Sequence, residues 1–230
     1  MTDGRAVEDL VVGVLGGTGP QGRGLAVRLA AAGQRILLGS RDAERAAEVA
    51  KDVAERAATA GGAEISVQGG SNVDVAGAAD LVIVAVPFAG HAATLAELAT
   101  PLAGKIVVDC VVPMGFDELG AYVLDVEEGS VTQQAAALLP DSHVVGAFHH
   151  LSAVLLEDLS RPTLDGDVMV VGDVREATDT VQALAGRLPG MRGIYAGRLR
   201  NAGQVEALTA NLIAINRRYK AHAGIRVTDV

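Results

Sequence analysis

The chain has 230 residues, half of them hydrophobic, and sets 19 Lys and Arg against 28 Asp and Glu for a formal net charge of −9. That excess of negative charge disfavours nucleic acid or an anionic membrane surface as the main partner, and the 3% aromatic content disfavours a base-stacking surface for single strands. One cysteine, Cys110, excludes an internal disulfide framework, and no Cys/His spacing suggests a metal site.

The opening residues are polar and mixed in charge, which predicts neither a signal nor a transit peptide; no apolar run reaches membrane-spanning length, so the cytoplasm is the expected compartment. Residues 10–15 read as a first strand, and residues 20–32 as a helix with Leu25, Ala26, Leu29 and Ala30 at helical spacing, stopped by Gly33. Residues 35–39 form a second strand, after which Asp42 caps an Ala-rich helix to about residue 60, ended by Gly61 and Gly62. A strand at 65–67, a short helix or turn at 73–79 and a buried strand at 81–86 closed by Pro87 complete a βαβαβ order. A helix near residues 91–99 and a strand at 105–112 closed by Pro113 continue the alternation, followed by a loop at 114–129 carrying Phe116 and Tyr122. Ser130 caps a helix at 131–139, and residues 144–148 form a strand ending at His149 and His150. Beyond it the pattern predicts a helix at 151–159, a strand at 167–172, a helix at 176–187, a strand at 192–195 and a helix at 201–221. The fold class is therefore α/β: a mostly parallel sheet with helices on both faces over residues 10–148, plus a smaller C-terminal α/β domain over 149–230.

The first strand runs into Gly16-Gly-Thr-Gly-Pro-Gln-Gly22. Gly17, Gly19 and Gly22 make a G-x-G-x-x-G, in which glycine permits the tight turn, the approach of backbone to a pyrophosphate and the packing of helix on strand. Alone the motif is weak, but here it follows a strand, opens a helix with Pro20 in its first turn, and precedes by about twenty residues a strand end suited to ribose recognition. The free N–H groups and dipole of that helix suit a diphosphate. These features make the domain Rossmann-type and dinucleotide-binding.

The second strand finishes Gly39-Ser40-Arg41, with Arg45 four residues on. An acidic residue there would select NAD, whereas a 2′-phosphate needs hydroxyl and guanidinium donors. Ser40, Arg41 and Arg45, with Thr18 adding a hydroxyl, predict NADP. Two alternatives stay open: Ser40 as a helix cap with the arginines paired to Asp42 and Glu44, or Asp42 reaching the ribose after a one-residue shift. Further strand ends, 86–88 and 111–113, are expected to line the groove. Adjacent side chains on a strand point to opposite faces, so at most one of His149 and His150 is expected to face the site, and His91, His143 and His222 look isolated. No catalytic side chain is assigned, because hydride transfer between two bound rings relies on positioning and water exclusion.

The stretch 14–22, the Gly39-Ser40-Arg41 strand end, Lys105-Ile-Val-Val108, Ala147-Phe-His149 and the tail from Leu208-Thr209 to Gly224-Ile225-Arg226 resemble the NADPH-dependent reductases of coenzyme F420, the tail most closely their actinobacterial members. The resemblance implies NADP and F420 as cofactors, hydride transfer between nicotinamide and deazaflavin stacked on each other, and a homodimer. Residue by residue it implies that Gly17, Thr18, Gly19, Pro20 and Gln21 cradle the diphosphate and that Ser40, Arg41 and Arg45 hold the 2′-phosphate. Phe88, Val112 and Ala153 would touch the rest of NADP, while His149, Leu151 and Ala223 would lie beside the deazaflavin. His150 and Phe88 depart from archaeal members, which tend to have Thr and Trp there. The competing readings are an NADPH-dependent reductase of a small carbonyl or imine, and a non-catalytic NADP sensor. A short-chain dehydrogenase is disfavoured because Tyr122, Tyr195 and Tyr219 all lack a lysine four residues later.

Overall fold

Eight strands form one sheet in the computed structural model, which describes residues 4–61 and 65–230. The first half supplies β1 (Val11–Leu15), α1 (Pro20–Ala31), β2 (Arg35–Ser40), α2 (Ala43–Thr59), β3 (Val67–Ser71), α3 (Asn72–Ala78), β4 (Leu81–Val84), α4 (Phe88–Leu102) and β5 (Ile106–Asp109). After it come the hairpin β6 (Met114–Asp117) and β7 (Gly120–Val123), then α5 (Val131–Leu138), β8 (His143–Gly146), α6 (Ala153–Glu157), β9 (Gly166–Gly172), α7 (Arg175–Gly186), β10 (Met191–Gly197) and α8 (Ala202–Tyr219). The sheet order is β10-β9-β8-β5-β4-β1-β2-β3, and every neighbouring pair is parallel except β8 with β9.

The order reverses at β1, which pairs with β2 on one side and β4 on the other. Loops leaving such a point diverge to opposite faces and open a crevice at the strands' carboxyl ends. Both faces of the central strands are covered, so all four residues of β4 are buried and the strand reads as a continuous apolar run. Val12, Val14 and Ile83 join a core with Leu25 and Leu29 of α1, Val53 of α2 and Val181 of α7. Val82 and Val84 pack on the other face with Val75 of α3, Leu95 of α4 and Ala135 of α5.

Several boundaries differ from the sequence reading. The third strand lies at Val67–Ser71 rather than 65–67, because its signal is carried by glycines: a Cβ on Gly69 would lie 2.2 Å from the Ala46 carbonyl oxygen, so only glycine lets α2 press against this edge. Gly62, read as part of the α2 stop, lies outside the described residues. The stretch read as a loop contains the antiparallel pair β6–β7, turned by Asp117, whose carboxylate accepts from Leu119 N (2.8 Å) and Gly120 N (3.0 Å). Helix α4 begins at Phe88, directly after Pro87, and α6 is shorter than expected. Strands β9 and β10, which lie beyond residue 148, continue the same sheet through the β8–β9 pairing.

Candidate functional site

The glycine-rich turn separates packing from ligand space. Gly16 has φ +70°, and a Cβ on it would lie 2.8 Å from the Ala85 carbonyl oxygen. A Cβ on Gly17 would lie 2.4 Å from Leu38 Cδ2, and one on Gly22 2.9 Å from the Gly16 carbonyl oxygen. These glycines are therefore dictated by protein contacts. Gly19 is different: its Cβ would meet nothing closer than the Gly16 carbonyl oxygen at 3.4 Å, so the protein alone does not demand glycine there. Gly19 sits at the start of α1, with Pro20 at N1 and no side-chain cap. The unpaired amides of that helix end, beside a position kept free of a side chain, fit a diphosphate.

At the neighbouring strand end, Gly17 N donates to Gly39 O at 2.9 Å, which brings the Ser40 corner beside the turn. Ser40 is buried and its Oγ accepts from Asp42 N at 3.2 Å, leaving its own proton to donate. Asp42 is occupied as the cap of α2, its carboxylate accepting from Arg45 N at 3.1 Å. Arg41 and Arg45 are exposed, and neither guanidinium has an ion-pair or hydrogen-bond partner among the described residues. Two open guanidinium groups and a hydroxyl, with the Asp42 carboxylate used as the helix cap, suit a phosphate better than a bare ribose.

The crevice continues as a groove of about 440 Å³. Of the predicted residues it brings together Gln21, Phe88, Val112, His149, Leu151, Ala153 and Ala223. Gly17, Thr18, Gly19 and Pro20, running from the end of β1 into α1, and Ser40, Arg41 and Arg45, running from the end of β2 into α2, lie outside it. Gln21 Nε2 donates to Phe148 O at 3.1 Å and ties the first turn to the end of β8. Helix α6 is seated by Arg28 of α1, whose guanidinium donates to the carbonyls of Leu155, Leu156, Asp158 and Arg161 at 2.6–2.9 Å. The buried Phe148 has φ +65°, a conformation a bulky residue adopts only when its surroundings impose it. Because β8 has ended at Gly146, strand alternation does not govern the next residues. Both His149 and His150 are buried on the groove wall, contrary to the expectation that at most one would face it.

The two imidazoles are held differently. His150 Nε2 accepts from Met169 N at 3.2 Å, while His149 Nε2 lies 3.5 Å from Thr132 Oγ1. Burial pushes each down to about 4, so both are neutral near pH 7. The Cys110 thiol, pushed up by burial, donates to Val84 O and is no nucleophile.

Behind the wall lies a polar cluster that the sequence reading did not assemble. His91 Nε2 and Asp109 Oδ2 are 2.6 Å apart and fully buried, with Gln134 Oε1 at 3.3 Å from His91 Nδ1. Burial is the largest influence on His91 and lowers it, but the hydrogen bond and charge of Asp109 together carry it above the ordinary imidazole range. Asp109 also accepts from Val111 N at 2.9 Å, fixing the β5 end that lines the groove. Glu206 of α8 is fully buried and caps α5, accepting from Val131 N and Thr132 N at 3.0 Å and from Thr132 Oγ1 at 2.8 Å. One signal could have found these groups: a lone carboxylate in an apolar strand, or in an Ala/Leu-rich helix, must have a buried partner.

A reversal-point crevice, a glycine turn with ligand space and an apolar groove together define a dinucleotide-binding α/β protein. A family model described as "NADP oxidoreductase coenzyme F420-dependent" matches residues 11–113. The chain is 39% identical to the F420-dependent NADP reductase of Methanothermobacter thermautotrophicus over 224 residues, 95% of each protein. It is 38% identical to that of Methanocaldococcus jannaschii, over 95% of this chain and 98% of the relative. The crystal structure of a candidate F420-dependent NADP reductase from an Arthrobacter species superposes with a TM-score of 0.75 at 26% identity, over 95% of this chain and 99% of that one. The protein belongs to the F420-dependent NADP reductase family.

Proposed function

We infer that this chain is an oxidoreductase moving a hydride between NADP(H) and the deazaflavin coenzyme F420. Its family membership over nearly the whole chain carries that reading, and the open Arg41/Arg45 pair beside Ser40 supports NADP as the dinucleotide. When both groups are bound, the nicotinamide supplies or accepts the hydride at the deazaflavin. The protein's own part is placement. Gly17, Thr18, Gly19 and Pro20 frame the α1 start for the diphosphate: Thr18 adds its hydroxyl and Gly19 leaves room, while the donors are the first-turn N–H groups beyond Pro20, since Gly17 N and Gly19 N are taken by Gly39 O and Gly16 O; Gln21 holds the turn against Phe148 O. Phe88, Val112 and Ala153 form the walls against which NADP lies, and His149, Leu151 and Ala223 the walls of the second ring. The lining is mainly aliphatic, which excludes water from two stacked rings, and no side chain has to exchange a proton at the reacting carbons.

We also propose that residues 149–230 act as a closing unit over residues 10–148, and that two chains pair. Phe116 (69% exposed), Leu119 (94%) and Tyr122 on the β6–β7 hairpin, with Ile215 and Tyr219 on α8, leave an apolar surface uncovered that suits a second copy. Among the described residues no helix is long and apolar enough to cross a membrane, and the free buried cysteine suits the cytoplasm. The deciding experiment mixes the protein with NADPH and oxidised F420 and follows both absorbances. Equimolar loss of the two is expected. NADPH loss only with a small carbonyl or imine would move the protein to another reductase class, and NADPH binding without turnover would make it a sensor.

A further inference from the structure

Thr132 joins the start of α5 to the wall of the groove. Its hydroxyl has one proton. At 2.8 Å from Glu206 Oε1 that proton is committed to the carboxylate, the stronger acceptor within reach. Toward His149 Nε2, 3.5 Å away, Thr132 therefore offers only lone pairs. A hydrogen bond across that contact requires the imidazole proton on Nε2, with Nδ1 bare. That Nδ1 is buried and has no hydrogen-bond partner, on a ring that forms part of the groove wall.

The surroundings are arranged for this contact. A Cβ on Gly146 would fall 2.8 Å from Val171 Cγ2, 3.0 Å from Thr132 Oγ1 and 3.1 Å from His149 Cε1, so glycine there serves the packing of β9 and also leaves room for hydroxyl and ring to meet. Helix α8 holds both ends of the arrangement: Glu206 through Thr132, and Thr209, about one turn on, through a 3.2 Å hydrogen bond from its hydroxyl to the His149 carbonyl. The other titratable groups around the ring make their hydrogen bonds elsewhere. Asp109 is taken by His91 and Val111 N, and His150 accepts from Met169 N through Nε2, its own Nδ1 being buried without a partner. None of them supplies a donor to His149 Nδ1.

We propose that Thr132 and Glu206 are positioning residues that lock His149 in its Nε2–H tautomer, so that Nδ1, closed off in the groove wall, serves as an acceptor for an N–H or O–H on the edge of the deazaflavin once the wall adjusts around the bound ring. The proposal rests on the reading of this groove as the deazaflavin site. The neutral state into which burial forces His149 is the state in which a tautomer matters. An acceptor left unpaired in an apolar wall is unfavourable until a ligand donor meets it, which gives the groove a preference for rings with a donor at that edge.

The test uses the full-length protein labelled with ¹⁵N-histidine, free of cofactor, with the His149 signal assigned by comparison with His149→Gln. Wild type and Thr132→Ser, which keeps the hydroxyl, should show the Nε2–H pattern. Thr132→Val, which keeps the shape, should shift His149 toward Nδ1–H and raise the KM for oxidised F420 about three- to tenfold, with the NADPH dissociation constant within twofold of wild type. An Nδ1–H pattern in the wild type overturns the proposal, and that measurement needs no variant to fold. So does a Thr132→Val protein with unchanged tautomer, or a changed tautomer with an unchanged KM for F420. Absence of any F420 turnover in the wild type would overturn the functional reading instead, while the tautomer measurement would still stand by itself.

Discussion

Replacing both Arg41 and Arg45 by Ala probes the corner that distinguishes the two nicotinamide dinucleotides. Neither side chain is held by the protein, so the double variant should fold as the wild type does and the change should appear in the cofactor. An exposed charge-assisted hydrogen bond to a phosphate contributes about 1.5 kcal/mol, the low end for such bonds because solvent and salt screen it. Two together contribute about 3 kcal/mol, which corresponds to roughly a hundredfold loss of kcat/KM for NADPH. NADH lacks the phosphate, so its kcat/KM should stay within about twofold. Steady-state rates with each dinucleotide at saturating F420 give both numbers, and raising the salt should shrink the NADPH effect in the wild type but not in the variant. Equal losses with both dinucleotides would falsify the assignment of the 2′-phosphate to this corner.

The two kinds of glycine in the first turn should separate cleanly. Gly19→Ala is expected to weaken NADPH binding at least tenfold with an unchanged melting temperature, whereas Gly17→Ala, which drives a methyl into Leu38, should lower stability by about 1–3 kcal/mol; a folding defect in the first variant would show that Gly19 is structural too. His149→Ala should impair deazaflavin reduction with NADPH affinity near wild type, and unchanged turnover would make His149 purely structural. Removing His91 strands the buried Asp109 charge, so His91→Ala should cost about 3 kcal/mol or more in urea unfolding, and His91→Leu/Asp109→Leu should recover much of it; a single variant as stable as wild type refutes the pairing. Stability should also depend on pH with a definite sign. His149 and His150 lie at about 4 when folded and at about 6.5 unfolded, so between these values the unfolded chain binds more protons. Stability should then rise by about 1.4 kcal/mol per pH unit per imidazole from pH 4 to 6.5 and level off above. His91, raised when folded, acts oppositely, its contribution complete below 6.5 and lost as pH rises through its folded value. Urea titrations at pH 5 and 7 on wild type and His150→Gln measure the slope, and a variant as pH-sensitive as wild type excludes His150 from it.

What could be read from the chain alone was whatever the chemistry places in consecutive residues. The turn from β1 into α1, the Ser40-Arg41 corner and the proline-closed ends beyond β4 and β5 each concentrate their signal within a few positions, where one backbone geometry has few sequence solutions. The third strand was displaced because packing of α2 demanded glycines where β-propensity would have placed branched residues. The β6–β7 hairpin was hidden by a sequence that reads equally well as a loop. The antiparallel joining of β8 to β9 is a long-range pairing with no local signature. His91 with Asp109 is separated by 18 residues and Thr132 with Glu206 by 74, and only the folded sheet brings them together.

That separation bears on how the site works. Hydride transfer between two rings wants a dry, rigid slot, yet a purely aliphatic slot has nothing to fix the in-plane orientation of either ring. Here the charged groups stand one layer back, where Asp109 accepts from two protein donors and Glu206 from three. They reach the groove only through neutral intermediaries: Val111 backbone for one, Thr132 and His149 for the other. A carboxylate in the wall itself would draw water into the slot and repel an anionic dinucleotide. Set back and hydrogen-bonded to the protein, the same two carboxylates fix the β5 end and the start of α5 and define the polarity of a single ring nitrogen, so orientation is gained with no net charge at the wall.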